Sequence, residues 1–448
     1  MKVSFAAGLV FAAQLCSVST AFNPLRFFLD DNSFSPNVHG PVPIGDDIAA
    51  PPLNHPSQKP YETDVEGSSS ITNDHYIVMF KPSVDKAKIN SHHEWIQHQH
   101  HKRSLDWQDV STFLLKHTFE IGDSFMGYAA RFSPWLVNEL KKHPDIAIVE
   151  PDRVMHVTAE QRFAPWGLAR VSHRDRLGLS TFTRYNYNET AGEGVTAYVI
   201  DTGVNVNHQD FEGRASWGAT IPNGEKDIDN HGHGTHVAGT IAGKTFGVAK
   251  NSKIVAVKVM RADGTGTTSD IIKGIEFAFK ESKKDEDSVA SVANMSLGGD
   301  ASLALDLAVS AAIKGGLFFA VAAGNDAEDA CNTSPSRVSS AMTVGAMTWT
   351  DGISSFSNHG SCVDIFAPGS LILSDWIGSD KASMLLSGTS MASPHVAGLA
   401  AYYISLEPSL ANKPADLKKY MLKYALTDKL EGIPEGTPNV LAFNNFSE

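Results

Sequence analysis

Three cysteines in 448 residues, no surplus of positive charge and, past the N-terminal segment, no stretch apolar for the ~20 residues of a membrane span mark this chain first by what it has little of. Each absence excludes something. The lack of a second apolar run removes a membrane-spanning helix. Thirty-seven Lys and Arg stand against fifty Asp and Glu, giving a formal net charge of −13 and a pI near 5.7. That balance argues against a chain whose main work is coating nucleic acid or anionic membrane, since both reward clustered cations. There is no internal repeat and no H-E-x-x-H. What remains is 42% hydrophobic residues on a length that suits two or three domains with real cores.

Residues 1–21 read as a signal peptide, with Lys2, an apolar run from Val10 to Leu15, and the small residues Ser19, Thr20 and Ala21 at the cut. The product is expected in a lumen of the secretory pathway or outside the cell. Cys16 leaves with that peptide, so Cys331 and Cys362 are expected to form one disulfide, two buried thiols being the alternative. Sequons at Asn188, Asn332 and Asn445 suit the same compartment; that at Asn294 sits in an apolar run and is expected to stay bare.

Residues 22–73 are rich in Pro, Asn, Asp and Ser without apolar periodicity and read as a leader or linker. Residues 74–159 hold strands at Tyr76–Phe80, Tyr128–Phe132 and Ile146–Glu150 around a polar, His-rich helix, a small α+β unit. Nine of the eighteen histidines fall between 75 and 156, including His92, His93, His98, His100 and His101, a cluster placed to sense acid or simply a solvated loop. Lys102-Arg103 reads as a processing site or a basic turn. From 160 to 448 strands alternate with helices: Val195–Ile200, 233–243, Ile254–Val259, 269–281, Val292–Met295, 303–314, Leu317–Ala322 and a helix after Ser390. That order implies an α/β, three-layer fold with a mainly parallel sheet, whose ligands sit beyond the carboxyl ends of the strands.

Three motifs fall at such ends. Asp201-Thr202-Gly203 follows a buried strand; alone it reads equally as a turn or as half of an aspartic-protease dyad. Asn230 to Thr240, N-H-G-H-G-T-H-V-A-G-T, puts His233 at a helix start, and His231, His233 and His236 raise a zinc alternative that chelation would test. Ser387 to Gly398, S-G-T-S-M-A-S-P-H-V-A-G, puts Ser390 at a helix N-terminus with Pro394 expected in its first turn. A lone serine there is most often a cap. The order Asp, His, Ser decides between these readings, because it is one of the known orders of the hydrolytic triad. A serine hydroxyl attacks only when a neutral imidazole takes its proton, and the imidazolium needs a carboxylate to orient it. Ser390 is therefore the expected nucleophile, His233 the base and Asp201 its partner. Asn325, in A-A-G-N-D, with the Ser390 N–H is the expected oxyanion hole.

These motifs, with N-M-S-L-G-G at 294–299, F-S-N-H-G at 356–360 and A-P-W-G-L-A-R at 164–170, resemble the subtilase family, its proteinase K branch and the cerevisin-type fungal vacuolar proteases. The resemblance runs from about Tyr76 to the C-terminus. It implies a serine endopeptidase of broad specificity, made with an inhibitory prodomain at 74–159 that self-cleaves near Ala159 and whose tail from His156 lies in the active site. It also implies a specificity pocket walled by Ser296, Leu297, Gly298, Gly299, Ala323 and Gly324, and substrate-backbone pairing by Gly264–Gly266 and Leu297–Gly299. Peptide substrates and the prodomain are the partners implied, and a monomer the expected state. No cofactor is expected for the chemistry. Family members also bind a structural calcium near the positions of Asp364 and the Ser339 and Ala341 carbonyls; here the carboxylate is kept and its neighbours are changed. A silent scaffold is the rival reading, and it would need a missing triad member.

Overall fold

A computed structural model of the chain describes residues 71–103, 115–122, 125–153, 158–285 and 287–446. The expected signal peptide, most of the leader, Cys16 and His156 lie outside the described residues.

The first region is a four-stranded antiparallel sheet, ordered β2-β3-β1-β4, from β1 (Ile71–Phe80), β2 (Leu115–Ile121), β3 (Phe125–Arg131) and β4 (Ile146–Arg153). Two helices join them, α1 (Lys86–Arg103) and α2 (Pro134–Lys142). Alternation along β1 turns Val78 and Phe80 inward, where they meet Ile96, Tyr128, Phe132, Leu136 and Leu140. Ser133 caps α2 by accepting the Leu136 N–H, with Pro134 at the first helical position.

The second region opens with β5 (Thr158–Arg162), α3 (Trp166–Arg170), β6 (Arg184–Asn188), β7 (Val195–Asp201) and β8 (Ala215–Thr220). Then come α4 (His233–Ala242), β9 (Lys253–Lys258), α5 (Thr268–Ser282), β10 (Ala290–Met295), β11 (Gly299–Asp300), α6 (Leu303–Lys314), β12 (Phe318–Ala322) and β13 (Thr333–Ser334). The chain continues through β14 (Met342–Met347), β15 (Ile365–Pro368), β16 (Ile372–Asp375), β17 (Ser383–Leu386), α7 (Thr389–Leu406), α8 (Pro414–Tyr424), β18 (Leu426–Thr427) and β19 (Val440–Leu441). Nine strands form one sheet, ordered β18-β19-β15-β14-β12-β10-β7-β9-β8, parallel except where β18 meets β19. All seven residues of β7 are buried, as a strand covered on both faces must be.

Successive residues of β7 sort the layers. Val195, Ala197 and Val199 join a core with α4 and α7, while Tyr198 and Ile200 join one with α5 and α6. Of the strands that follow β7 in the chain, β9 and β8 lie on one side of it and β10 on the other, so the order reverses at β7. Asp201 ends that strand, at the switch point where doubly wound sheets open a crevice.

Candidate active site

Asp201 is buried, and its Oδ1 accepts from His233 Nδ1 at 2.7 Å and from the Thr202 N–H at 2.7 Å. Burial opposes charge on the His233 ring, but Asp201 and then Asp229 outweigh it and hold the imidazole pKa above its ordinary value. His233 begins α4, and Gly232 before it has φ 100°, a turn that only glycine makes without strain. A Cβ on Gly232 would also stand 2.6 Å from the Trp376 ring.

Asp229, which sequence reasoning missed, assembles this corner. Its Oδ1 accepts from Thr202 Oγ1, His231 N and Gly232 N, and its Oδ2 from Thr235 N and Oγ1. One buried carboxylate thus ties the turn after β7 to the start of α4, whose positive end suits an anion. Lys258, fully buried, adds a second tie: Nζ donates to Thr202 O at 2.8 Å and reaches Asn230 Oδ1 and Glu225. The only sequence signal for either was a charge beside a strand end.

Ser390 is the second residue of α7. Its Oγ donates to Ser296 O at 3.1 Å, so the hydroxyl is directed at that carbonyl and not at His233. Pro394 lies in the second turn of the helix, not the first as expected, and without an N–H it cannot serve the Ser390 carbonyl. Ser296 Oγ serves it instead at 2.8 Å. Asn294 and Ser393 extend the strut: Ser393 Oγ donates to Asn294 Oδ1, and Asn294 Nδ2 to Ser296 Oγ, both at 2.8 Å. Asn294 is fully buried in this network, which bars a glycan in the folded chain. Asn188, in another sequon, is buried as well, its Oδ1 accepting from Thr190 N and Oγ1.

Asn325 Oδ1 accepts from Thr389 N at 2.8 Å and Thr389 Oγ1 at 3.0 Å. Those bonds fix the amide with Nδ2 as its available donor. A Cβ built on Gly388 would lie 3.6 Å from Ser390 N, 3.7 Å from Asn325 Oδ1 and 3.8 Å from Asn325 Nδ2, so the Ser390 N–H and the Asn325 amide flank one small volume. Ala323 and Gly324 are held by Asn358, another residue the sequence did not single out: its Nδ2 donates to Ala323 O, and its Oδ1 accepts from Asp326 N. Leu297 is half-buried, Gly298 and Gly299 are exposed, and Gly299 pairs with Ser334. Gly264 closes a turn with its N–H on Arg261 O and Gly266 is exposed.

The three histidines of the zinc alternative do not converge. His236 Nε2 faces Ile372 O at 3.0 Å and Met384 O at 3.1 Å, and His231 Nδ1 accepts from the His233 N–H. Cys331 and Cys362 are joined, with Cα atoms 5.3 Å apart. Asp364 and the Ser339 and Ala341 carbonyls do converge, but on the Lys418 ammonium. The tail after the first region also departs from expectation. From Thr158 to Arg162 it pairs with Arg184–Asn188, and Asn188 N donates to the Tyr402 hydroxyl. Tyr402 lies about 18 Å along α7 from Ser390, so this segment is outside the cleft, held by strand pairing.

Residues 192–441 match the model of the subtilase family and residues 75–158 that of peptidase inhibitor I9. The chain belongs to the subtilase family. Among subtilases, it is 73% identical over 451 residues to subtilase-type proteinase psp3 of Schizosaccharomyces pombe, covering all of both chains. It is 48% identical over 400 residues to alkaline protease 2 of Aspergillus fumigatus, covering 83% of this chain and 81% of that one. The crystal structure of a cold adapted subtilisin-like serine proteinase superposes with a TM-score of 0.59 at 48% identity, over 64% of this chain and 100% of the other. The molecule is thus a subtilisin-like serine protease that carries an inhibitor-type prodomain. No helix among the described residues is long and apolar enough to cross a membrane.

Proposed function

We propose that this subtilase hydrolyses peptide bonds through an acyl-enzyme on Ser390, with His233 as general base and Asp201 orienting it. The observation that carries the assignment is the Asp201–His233 bond of 2.7 Å at the end of β7, with the Ser390 N–H and the Asn325 amide flanking Gly388. For attack, Ser390 Oγ turns from Ser296 O to His233 Nε2 and gives up its proton as the oxygen–carbon bond forms. The carbonyl oxygen, now anionic, is met by the two donors. Imidazolium then protonates the amine as the carbon–nitrogen bond breaks, and water activated by the same ring releases the acid.

Exposed positions at Thr265, Gly266 and Gly298 support main-chain pairing with an extended peptide along Gly264–Gly266 and Leu297–Gly299, hence broad specificity. A preference for an apolar or aromatic side chain before the cut belongs to this reading, with Ser296, Ala323 and Gly324 as the pocket residues. Self-cleavage near Ala159 needs β5 to lie off β6 when the bond is cut, since in the paired state that segment is far from Ser390. Entry into the secretory pathway, delivery to a vacuole or the exterior, and action as a monomer complete the reading.

The intact mass of the wild-type chain beside Ser390→Ala tests it. Loss of the prodomain near Ala159 in wild type alone is the expected result, with turnover in the mutant down about 10⁶-fold. Equal processing of both would assign maturation to another protease. In the processed enzyme, Asn325→Ala should cost on the order of 10²–10³ in kcat with KM little changed; an equal loss in 1/KM would remove Asn325 from the oxyanion hole.

A further inference from the structure

The resemblance to proteinase K-like enzymes implies a calcium ion held by the Asp364 carboxylate and the carbonyls of residues 339 and 341. These three oxygens do gather at one point, yet a cation of the chain's own already stands there. Lys418, on α8, places Nζ 2.7 Å from Asp364 Oδ1, 2.9 Å from Ser339 O and 2.5 Å from Ala341 O. Its three N–H donors are matched to three acceptors, which is the full capacity of an ammonium. The other carboxylate oxygen, Asp364 Oδ2, accepts the Thr343 N–H at 2.8 Å and is committed to β14. The Lys418 and Asp364 side chains are only 15% and 23% exposed.

A calcium ion does not fit this arrangement. It takes six to eight oxygens at about 2.3–2.6 Å, whereas this place gathers three that the Lys418 Nζ meets at ordinary N–H···O spacing. Charge points the same way. One ammonium neutralises one carboxylate, while adding a divalent ion beside Lys418 would leave two cations against a single anion in a partly buried place.

We infer that the Lys418 ammonium is a tethered replacement for the calcium of this site, latching α8 to the 339–341 loop and to the start of β15, so that the protease needs no calcium here. A bound ion stabilises only in proportion to its free concentration, and a chelator removes it. A lysine on the same chain has no such dependence. The latch would hold equally in compartments rich or poor in calcium.

The test uses processed enzyme inactivated with phenylmethylsulfonyl fluoride, melted in EDTA and in a calcium chloride series. Wild type should melt at the same temperature throughout. Lys418→Ser leaves the three oxygens without a cation; its Tm in EDTA should fall by roughly 5–10 °C, and calcium should restore part of that loss with a saturable dependence. Lys418→Met, which keeps the stem and fills the space, should lose stability without any calcium rescue, and Lys418→Arg should lose least. A wild-type Tm that rises with calcium and stops rising in Asp364→Asn would place calcium at Asp364 and overturn the inference. So would a Lys418→Ser protein as stable as wild type in EDTA, or one whose calcium response is no larger than that of wild type. Should Lys418→Ser fail to accumulate, wild type and Asp364→Asn decide: support requires wild type indifferent to calcium and the mutant equally destabilised with and without it.

Discussion

Both regions of the protein bury histidine, but against different neighbours. In the peptidase region His236, on α4, turns Nε2 to two backbone carbonyls, and His395, on α7, donates from Nδ1 to Met391 O at 2.8 Å. In the prodomain His92 Nε2 lies 2.9 Å from the Tyr128 hydroxyl, and the ring packs edge-on to His143 with centroids 4.7 Å apart and beside His93. Its Nδ1 is buried without a hydrogen-bond partner. Ionisable groups are buried in the peptidase core in two ways: Arg170, fully buried, makes two bonds to Asp351 and a third to His173 O, whereas Asp375, also buried, has its carboxyl pushed up to about 8 by burial first and then by Asp210. The large region thus packs its histidines against backbone acceptors and offsets Arg170 with Asp351, whereas the small one sets His92 beside two further imidazoles that oppose its protonation.

Breaking the large region's half of that contrast should give the greater effect. Asp351→Ala leaves the Arg170 guanidinium buried with its carboxylate gone, and an uncompensated buried charge typically costs about 3–5 kcal/mol. Thermal unfolding of the processed, inhibited enzyme should show it, and Arg170→Met with Asp351→Ala together should recover part of the loss. If the single change leaves Tm within a degree of wild type, the pair is not what holds α3 to the turn after β14.

How much of this was legible beforehand follows from the range of each signal. The alternation of buried strands and helices and the three motifs are local patterns, and they place Asp201, His233 and Ser390 at strand ends and helix starts without tertiary information. Asp229, Lys258 and Asn358 were not legible, because each acts on a segment distant in sequence, and in sequence each is one more polar residue, Lys258 at a strand end and the other two in loops. Pro394 was placed a turn too early, since the helix start is set by the Gly388 conformation and not by composition. Lys418 lies 77 residues from Ala341 and gains meaning only when α8 packs across the sheet end. The prodomain histidines were countable, but which of them turns inward depends on the face of α1 that carries Ile96, four residues after His92.

That face sharpens the comparison into a prediction about acid. Burial first, then His143 and His93, push the His92 pKa down from 6.5 to about 3. A folded-state pKa below the unfolded one means that the unfolded chain binds more protons between those values, so stability falls as pH drops through 6.5. Between pH 7 and pH 5 the loss is of order 1–2 kcal/mol, before His93, which burial also lowers, is added. His236 and His395, with pKa values pushed to about 4, act in the same direction on the peptidase region. There, however, the penalty is set against three apolar clusters, while the prodomain has one small cluster. Hydrogen exchange on full-length Ser390→Ala, corrected for intrinsic rates, should therefore show protection in β1 and α1 falling about 5–30-fold from pH 7 to pH 5, with the β7 and α7 segments changing less. Adding His92→Gln, which cannot titrate, should remove most of that fall, whereas His98→Gln, at an exposed position of α1, should leave it intact. An identical fall with His92→Gln would mean that acid acts on the prodomain through another group, and the contrast between the two regions would then rest on core size alone.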